Sequence, residues 1–190
     1  MSNIWFSADL HLGSKRTLEL SKRPFKTINE MDGAIISNWN SVVDESDKCF
    51  IIGDFGNYDY ISELNGEIVL ITGNYEDKDI ENEYNDNKHM FKDAMIEKGF
   101  SKVFFGWYRY FNSDYSKKIY LTHEPKDCKT DEFNLFGHVH KLSMVKEFGL
   151  NVGQDCHNFF PINLDTVEFY KNGIENFYDE NVFMTKVDNI

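Results

Sequence analysis

The chain has 190 residues, of which 41% are hydrophobic and 16% aromatic, and its formal net charge is −12. This apolar content suits one folded domain with a sizeable core and excludes a disordered chain. The negative charge disfavours extended contact with a nucleic-acid duplex, which requires basic surface stripes. We therefore expect residues 1–190 to form a single domain.

The sequence predicts a cytoplasmic protein. The first residues lead directly into an apolar segment without the basic region of a targeting peptide. No apolar run approaches the roughly 18 residues that a membrane-spanning helix needs. The cysteines, Cys49, Cys128 and Cys156, are odd in number and irregularly spaced. This pattern indicates free thiols in a reducing compartment rather than a disulfide framework.

The first half of the chain alternates strands with helices. Short apolar runs predict strands at residues 4–8, 49–52 and 67–72, and residues 10–26 are expected to form a loop. Thr27-Ile28-Asn29-Glu30 has the pattern of a capping box, and apolar residues then recur every three or four positions, which predicts a helix. A further helix is expected from about residue 79 to residue 98, with Gly99 ending it.

The second half is expected to be mainly strand. The predicted strands are residues 101–105, 107–111, 117–122, 133–136, 147–151 and 166–170. Asn112-Ser113-Asp114 is expected to form a hairpin turn. A half that alternates strand and helix, followed by a half rich in strands, predicts two packed sheets with helices outside them.

Metal-ligand side chains follow five of these apolar runs. The clusters are Asp9-Leu10-His11, Gly53-Asp54, Gly73-Asn74, Thr122-His123 and Gly137-His138-Val139-His140. Open α/β sheets place their sites at the carboxyl ends of strands, so we expect these side chains to meet. Together they provide two carboxylates, one amide and four imidazoles, which is enough for two divalent cations. Imidazole mixed with carboxylate suits Mn, Fe, Ni or Zn better than Ca or Mg, and we expect Mn.

A pair of cations of this kind is suited to hydrolysing phosphate esters. A bridging carboxylate holds the two ions about 3.5–4 Å apart, and a shared water loses a proton as its pKa falls toward ~7. The resulting hydroxide attacks phosphorus while the ions stabilise the developing charge. The alternative interpretation is a set of independent structural histidines. One cluster alone would be weak evidence, but five in succession favour the metal site.

The order of these clusters resembles the calcineurin-like metallophosphoesterase superfamily over about residues 4–152. The segments Arg23-Pro24-Phe25 and Asn151-Val152-Gly153-x-Asp155 are similar to a small phage and bacterial branch of it. The resemblance implies a four-layer α/β/β/α sandwich of two mixed sheets flanked by helices. It also implies that one ion is held by Asp9, His11, Asp54 and His140, and the other by Asp54, Asn74, His123 and His138, with Asp54 bridging.

The chain departs from the family pattern at Tyr75, where the family usually has a histidine after Gly-Asn. That histidine approaches the scissile phosphate and assists the leaving group. A phenol can donate a hydrogen bond but transfers protons poorly at neutral pH, and losing a general acid costs roughly 10²–10⁴-fold for a poor leaving group. We therefore expect Asn74 and Tyr75 to serve a phosphodiesterase rather than a phosphomonoesterase. A catalytically impaired metal-binding scaffold and a nuclease are the alternatives.

Two arginines are candidates for substrate binding. Arg16 and Arg23 lie in the segment after His11, and their planar guanidinium groups could clamp phosphate oxygens; solvated loop charge is the other interpretation. Glu124 follows His123 directly, and an acid beside the ions would disfavour a highly charged substrate unless it points away. The expected partner is a small phosphorylated or nucleotide substrate, with nucleic acid less favoured and no membrane.

Overall fold

Two mixed five-stranded sheets build the computed structural model, which describes residues 2–111 and 118–183. The first sheet contains the parallel strands β1 (Ile4–Ser7), β2 (Lys48–Ile52), β3 (Glu67–Ile71) and β4 (Lys102–Phe104), in that order. The antiparallel β10 (Ile162–Asn163) lies beside β1. The second sheet has the order β5 (Trp107–Phe111), β6 (Lys118–Thr122), β7 (Phe133–Phe136), β9 (Gly149–Asn151) and β8 (Val145–Lys146). The prediction of an α/β sandwich with two mixed sheets is confirmed.

In the described part of the chain, five α-helices accompany the sheets: α1 (Lys15–Leu20), α2 (Ile28–Asn40), α3 (Asn74–Tyr84), α4 (Lys88–Lys98) and α5 (Leu164–Phe177). Short 3-10 turns occur at Tyr58–Glu63, Pro125–Asp127, His140–Leu142, Gln154–Cys156 and Glu180–Phe183. Within the described residues, no helix is long and apolar enough to cross a bilayer.

Two buried clusters hold the layers together. In the first, Met31 and Trp39 of α2 and Phe91 of α4 pack with residues of the first sheet such as Ile51 and Leu70. In the second, the opposite face of the first sheet meets the second sheet, and Val167 and Ile174 of α5 join it; its sheet residues include Phe6, Phe50, Ile71, Leu121, Leu135 and Leu150. Alternate residues of β2 and β3 thus face opposite clusters, as the two-residue repeat of a strand requires.

The helix start predicted at Thr27 is confirmed, but the capping box is only half formed. Thr27 Oγ1 accepts a hydrogen bond from the Glu30 amide at 3.1 Å. The Glu30 carboxylate accepts from the Lys26 amide at 2.9 Å, one residue earlier than the standard pattern. Gly99 ends α4 as expected, with a φ of 126°.

Several predicted elements are wrong or incomplete. Residues 166–170 are part of helix α5, because the Asn163 side chain caps it and its buried residues recur at helical spacing. The loop predicted at residues 10–26 contains α1, which Ser14 caps. The helix predicted at 79–98 is two helices, α3 and α4, separated where Asn85 and Asp86 adopt φ values of 50° and 59°. The turn predicted at Asn112-Ser113-Asp114 lies outside the described residues.

Candidate metal centre

The carboxyl ends of the parallel strands in both sheets meet at one edge of the sandwich. The loop after β1 joins the segment after β9, since the Ala8 amide donates to Val152 O at 3.1 Å and the Gln154 amide donates to Ala8 O at 3.0 Å. The segment after β7 joins as well, because the His138 amide donates to both oxygens of Asp9 at 2.9 and 3.1 Å. This convergence brings together side chains that are more than a hundred residues apart in the sequence.

All seven predicted ligands lie in this region. Asp9, His11 and His140 each offer an atom within 4.8 Å of the others, and so do Asp9, Asp54 and His123. Asn74 completes the set, because its Oδ1 lies 3.1 Å from His123 Nε2 and 2.9 Å from His138 Nδ1. The two acidic clusters share Asp9, while Asp54 also approaches the first, with Oδ2 3.4 Å from His11 Nε2.

Five of these seven residues have a left-handed backbone. Asp9, His11, Asp54, His138 and His140 have φ values between 49° and 72°. Residues other than glycine rarely adopt this conformation, which costs of the order of 1–3 kcal/mol each when the surroundings force it. Such outliers concentrate at functional sites. Half of the ten non-glycine residues with positive φ in the described chain are predicted ligands, which singles out this edge of the molecule.

Glycines leave room for the ligands. A Cβ at Gly53 would lie 2.4 Å from His123 Nδ1, and the φ of Gly53 is +77°. A Cβ at Gly137 would lie 2.6 Å from Asp9 Oδ2. Because both contacts are far closer than real Cβ atoms allow, a larger residue at either position would displace a ligand side chain.

His11 is the least satisfied polar side chain of the site. It is 1% exposed, and neither ring nitrogen has a hydrogen-bond partner among the described residues. Burial lowers its pKa to about 3, even though the charge of Asp54 opposes this shift. A buried, neutral and unpartnered imidazole facing two carboxylates is costly in itself, but it fits a residue whose lone pair binds a cation.

The two carboxylates differ in their electrostatics. Burial raises the pKa of Asp9. Burial also acts on Asp54, but the hydrogen bond from His123 and the charges of His123 and His11 lower its pKa overall. The pKa of His123 responds in turn: burial alone would lower it, but the hydrogen bond and charges of Asp54 and Asp9 raise it to about 10. A cation at Nε2 of His123 would compete with a proton for the same lone pair.

Hydrogen bonds fix the orientation of two ligand imidazoles. His123 Nδ1 donates to Ile52 O at 2.8 Å, and His140 Nδ1 donates to Asp155 Oδ2 at 2.7 Å. In both residues Nε2 faces the other predicted ligands, and in His123 it lies 3.1 Å from Asn74 Oδ1 and 3.4 Å from Asp54 Oδ1. Metal-binding histidines are usually held in this way by a partner at the other ring nitrogen. Asp155 is 3% exposed at its side chain, and its contacts with His140 and Arg23 lower its pKa to about 2 despite burial.

Arg23 has a structural position rather than the predicted substrate-binding one. Its guanidinium is buried, with 0% of the side chain exposed, and pairs with Asp155 at 2.9 Å. It also donates to Asp9 O at 2.6 Å and to Leu10 O at 2.8 Å. Arg23 is therefore neither a phosphate clamp nor a solvated loop charge, the two roles considered from the sequence. Its donors face the interior and hold the loop that contains Asp9 and Leu10.

Glu76 is a second buried residue that supports the ligands. Its carboxylate accepts hydrogen bonds from the amides of Asp54, Phe55 and Gly73 at 2.8–2.9 Å. Burial, with a contribution from Asp54, raises its pKa to about 7. Neither Glu76 nor Asp155 is among the residues predicted for the site. The capping-box spacing from Gly73 was a local signal for Glu76, whereas the segment Asn151-Val152-Gly153-x-Asp155 indicated only a resemblance and not a contact with His140.

Arg16 and Tyr75 lie at the pocket above the ligands. The Arg16 guanidinium donates a hydrogen bond to the Tyr75 hydroxyl, and the Tyr75 ring lies edge-on to His11 with centroids 4.9 Å apart. Both residues line a pocket of about 520 Å³ together with His11, Asp54, Asn74, His138 and His140. The structure thus keeps Arg16, unlike Arg23, where a substrate could reach it.

The donor set fits divalent cations of the first transition series. Imidazoles, carboxylates and one amide oxygen converge, and His11 is buried without any other partner in the described chain. His11, His140 and Asp9 would hold one ion, and Asn74, His123 and His138 the other, with Asp54 between them. This assignment stays a prediction from the family resemblance, with which the positions of the side chains agree.

Comparisons with known proteins give relatives without an assigned activity. No protein family profile matches the chain. It is 26% identical over 185 residues to the uncharacterized protein MJ1445 of Methanocaldococcus jannaschii, covering 88% of this chain and 90% of the relative. It is 34% identical over 85 residues to the gene 66 protein of Mycobacterium phage L5, covering 40% of this chain and 41% of that protein. A crystal structure of the Aquifex aeolicus protein AQ665, of unknown function, has the same fold, with a TM-score of 0.66 over 90% of this chain at 17% identity.

Proposed function

We propose that this protein is a dinuclear metal-dependent phosphodiesterase acting on nucleotide-sized substrates. The observation that supports this most is the buried His11, which faces Asp9 and Asp54 at 3.8 and 3.4 Å with both nitrogens unpartnered among the described residues. A protein tolerates such a side chain where it serves a ligand or a reaction. The left-handed backbone at five of the seven predicted ligands supports the same interpretation.

Each side chain has a definable role in this reaction. When bound, two divalent cations supply an activated water and neutralise phosphate charge. Asp54 lies between the two ligand groups, with Oδ1 3.4 Å from His123 and Oδ2 3.4 Å from His11, as a bridging carboxylate should. Tyr75, in the first turn of α3, lines the pocket, and its hydroxyl can donate a hydrogen bond to a phosphate oxygen.

The absence of a histidine at position 75 favours diesters with good leaving groups. A phenol held by Arg16 can position a phosphate, but it supplies little general-acid catalysis at neutral pH. The pocket, at about 520 Å³, is within the usual size for a small-molecule site and is too small to enclose a duplex.

The test is metal-dependent hydrolysis by the purified protein. We expect Mn²⁺-dependent turnover of bis-p-nitrophenyl phosphate that exceeds turnover of p-nitrophenyl phosphate, with bound metal measured on the same sample. Asp54→Asn serves as the matched control, because it removes the bridging charge with almost no change in size and should lose both metal and activity. Bound Mn²⁺ without turnover of either ester would refute the proposal, and so would wild-type activity in Asp54→Asn.

A further inference from the structure

We infer that the substrate is a small nucleotide with a second phosphate next to the scissile one, and that a ring of three cations around the pocket binds this second phosphate. The three residues, which we call the cationic rim, are Arg16, Lys78 and Lys141. The inference rests on the proposed phosphodiesterase function and adds the class of substrate to it.

Each member of the cationic rim comes from a different wall of the pocket. Arg16 is on α1, Lys78 is on the first half of α3, and Lys141 is in the 3-10 turn that begins at His140. All three are exposed. Because three separate segments of the chain each present a cation to the same space, the arrangement does not reflect a run of basic residues in the sequence.

The cationic rim has no anionic partner within the described residues. Arg16 donates to the Tyr75 hydroxyl, and Lys78 Nζ lies 5.3 Å from the centre of the Tyr75 ring. Neither these two residues nor Lys141 forms an ion pair with a carboxylate of the described chain, whereas the neighbouring Lys15 pairs with Glu19. In a protein of net charge −12, three uncompensated cations around one pocket are a local reversal of charge.

The charge of a simple phosphodiester is too small to account for this excess. Two divalent cations would bring roughly +4 to the site, against roughly −2 from Asp9 and Asp54 and roughly −1 from the hydroxide, and the single negative charge of a diester would neutralise what is left. The three rim cations therefore remain available for a further anionic group. Their guanidinium and ammonium groups are the usual donors to phosphate oxygens.

Glu124 does not cancel this positive charge. Its carboxylate pairs with Lys126 Nζ at 2.7 Å, and it is not part of the pocket lining. On the sequence alone, an acid beside the ions would disfavour a highly charged substrate unless it pointed away. The Glu124 carboxylate is directed toward Lys126 and does not line the pocket.

The walls also offer apolar contact for the organic part of a nucleotide. Leu20 of α1 and Leu142 of the facing 3-10 turn line the same pocket and are 66% and 86% exposed. Single exposed leucines are ordinary, but two on opposite walls of a phosphate-binding pocket suit a substrate with an apolar face.

The test compares matched dinucleotides that differ only in a terminal phosphate, at the 5′ or the 3′ end. With Mn²⁺, we expect kcat/KM to be about 10–100-fold higher for a dinucleotide with the additional phosphate, the range of charge-assisted hydrogen bonds to one anionic group. In Lys78→Met combined with Lys141→Met this ratio should fall close to one. Lys15→Met is the matched control, since it removes a cation from the same helix as Arg16 and should leave the ratio as in the wild type.

Binding of non-hydrolysable methylphosphonate analogues, measured by calorimetry on the metal-loaded protein, separates the two proposals. Preferential binding of the phosphorylated analogue without any turnover would support the cationic rim and refute the phosphodiesterase. Equal binding and equal turnover with and without the additional phosphate would overturn the rim and leave the phosphodiesterase standing. A rate that keeps rising with each added nucleotide would also overturn it, in favour of a nucleic-acid substrate.

Discussion

Tyr75 stands where the family pattern that guided the prediction has a histidine. Its hydroxyl accepts a hydrogen bond from Arg16, its ring packs edge-on against His11, and the residue lines the pocket. In the proposed reaction, a phenol in this place would contribute position rather than proton transfer. Whether this phenol limits the proposed enzyme to esters with good leaving groups can be measured by replacing Tyr75 with histidine.

Tyr75→His should introduce a general acid above the ligands. We expect hydrolysis of esters with poor leaving groups, such as alkyl phosphates, to rise by up to about 10²-fold, with little change for p-nitrophenyl esters. Steady-state kinetics with leaving groups of graded pKa checks this expectation. If the wild type is inactive on every ester and only the variant is active, the protein is a metal-binding scaffold rather than an enzyme.

Asp155 should determine the affinity of one of the two cation positions. Its carboxylate accepts from His140 Nδ1 at 2.7 Å and is itself held by the buried Arg23. Asp155→Asn should weaken Mn²⁺ binding by about 10–100-fold at the position that includes His140, because the imidazole loses the partner that orients it. Titration calorimetry that resolves the two binding steps measures this effect.

Asp47→Asn is the control for that experiment. Asp47 is also buried, accepts a hydrogen bond from Trp5 Nε1 at 2.8 Å, and lies before β2 at the opposite end from the ligands. An equal loss of Mn²⁺ affinity in both variants would mean that the effect of Asp155 is only a general loss of stability.

At the level of elements, β1, β2, β3 and α2 are predicted well from the sequence, because the residues that specify each of them are adjacent in the chain. The runs before Asp9, Asp54 and Asn74 are continuous and apolar, and β1, β2 and β3 lie where these runs predict them. Helix α2 begins after its predicted cap, Thr27. The seven predicted ligands could be proposed together because each follows such a strand almost directly.

The missed elements depend on competing or distant signals. The segment around Val167, Phe169 and Tyr170 contains residues with high β-propensity, which led to the prediction of a strand. It forms a helix because Asn163 caps it and because α5 packs against the sheets. The bond between Arg23 and Asp155 joins residues 132 positions apart, and one sequence contains no signal for such a pair. For this reason the residues that support the ligands were harder to predict than the ligands.

The junction of β1 and β2 gives a prediction for pH. Asp47 accepts hydrogen bonds from the Asn3 amide, the Asp44 amide and Trp5 Nε1, which outweigh burial and lower its pKa below the ordinary 3.8. A carboxyl whose pKa is lower in the folded state stabilises the fold above its unfolded pKa. This contribution is lost as the pH falls through the folded pKa.

The free energy of unfolding should therefore decrease as the pH falls below about 4, and part of this decrease should be missing in Asp47→Asn. Denaturant unfolding of both proteins between pH 3 and pH 7 measures the difference. Parallel curves over the whole range would contradict the role given to Asp47.

At the level of the whole molecule, cation binding and folding should be coupled. The ligands come from both sheets, so a bound cation joins them and stabilises only the folded chain. At 100 times the dissociation constant a ligand of this kind adds about 2.7 kcal/mol. Since 1 kcal/mol moves the Tm of a domain of this size by about 2–4 °C, we expect Mn²⁺ to raise Tm by about 5–10 °C.

Differential scanning fluorimetry with Mn²⁺, and with a chelator as reference, measures this shift. Asp54→Asn should lose most of it, because the carboxylate between the two ligand groups is gone. A shift of the same size in Asp54→Asn would place the stabilising cation elsewhere on this acidic protein.

The left-handed backbone at five predicted ligands implies a trade-off between the stability of the fold and the placement of these side chains. The five are Asp9, His11, Asp54, His138 and His140. Without cations, each of these residues holds its backbone in a conformation that glycine or asparagine would adopt more cheaply. A protein that bound no cations here would gain stability from glycine at any of these positions. The presence of all five together is therefore what the proposed cation site would require of the main chain.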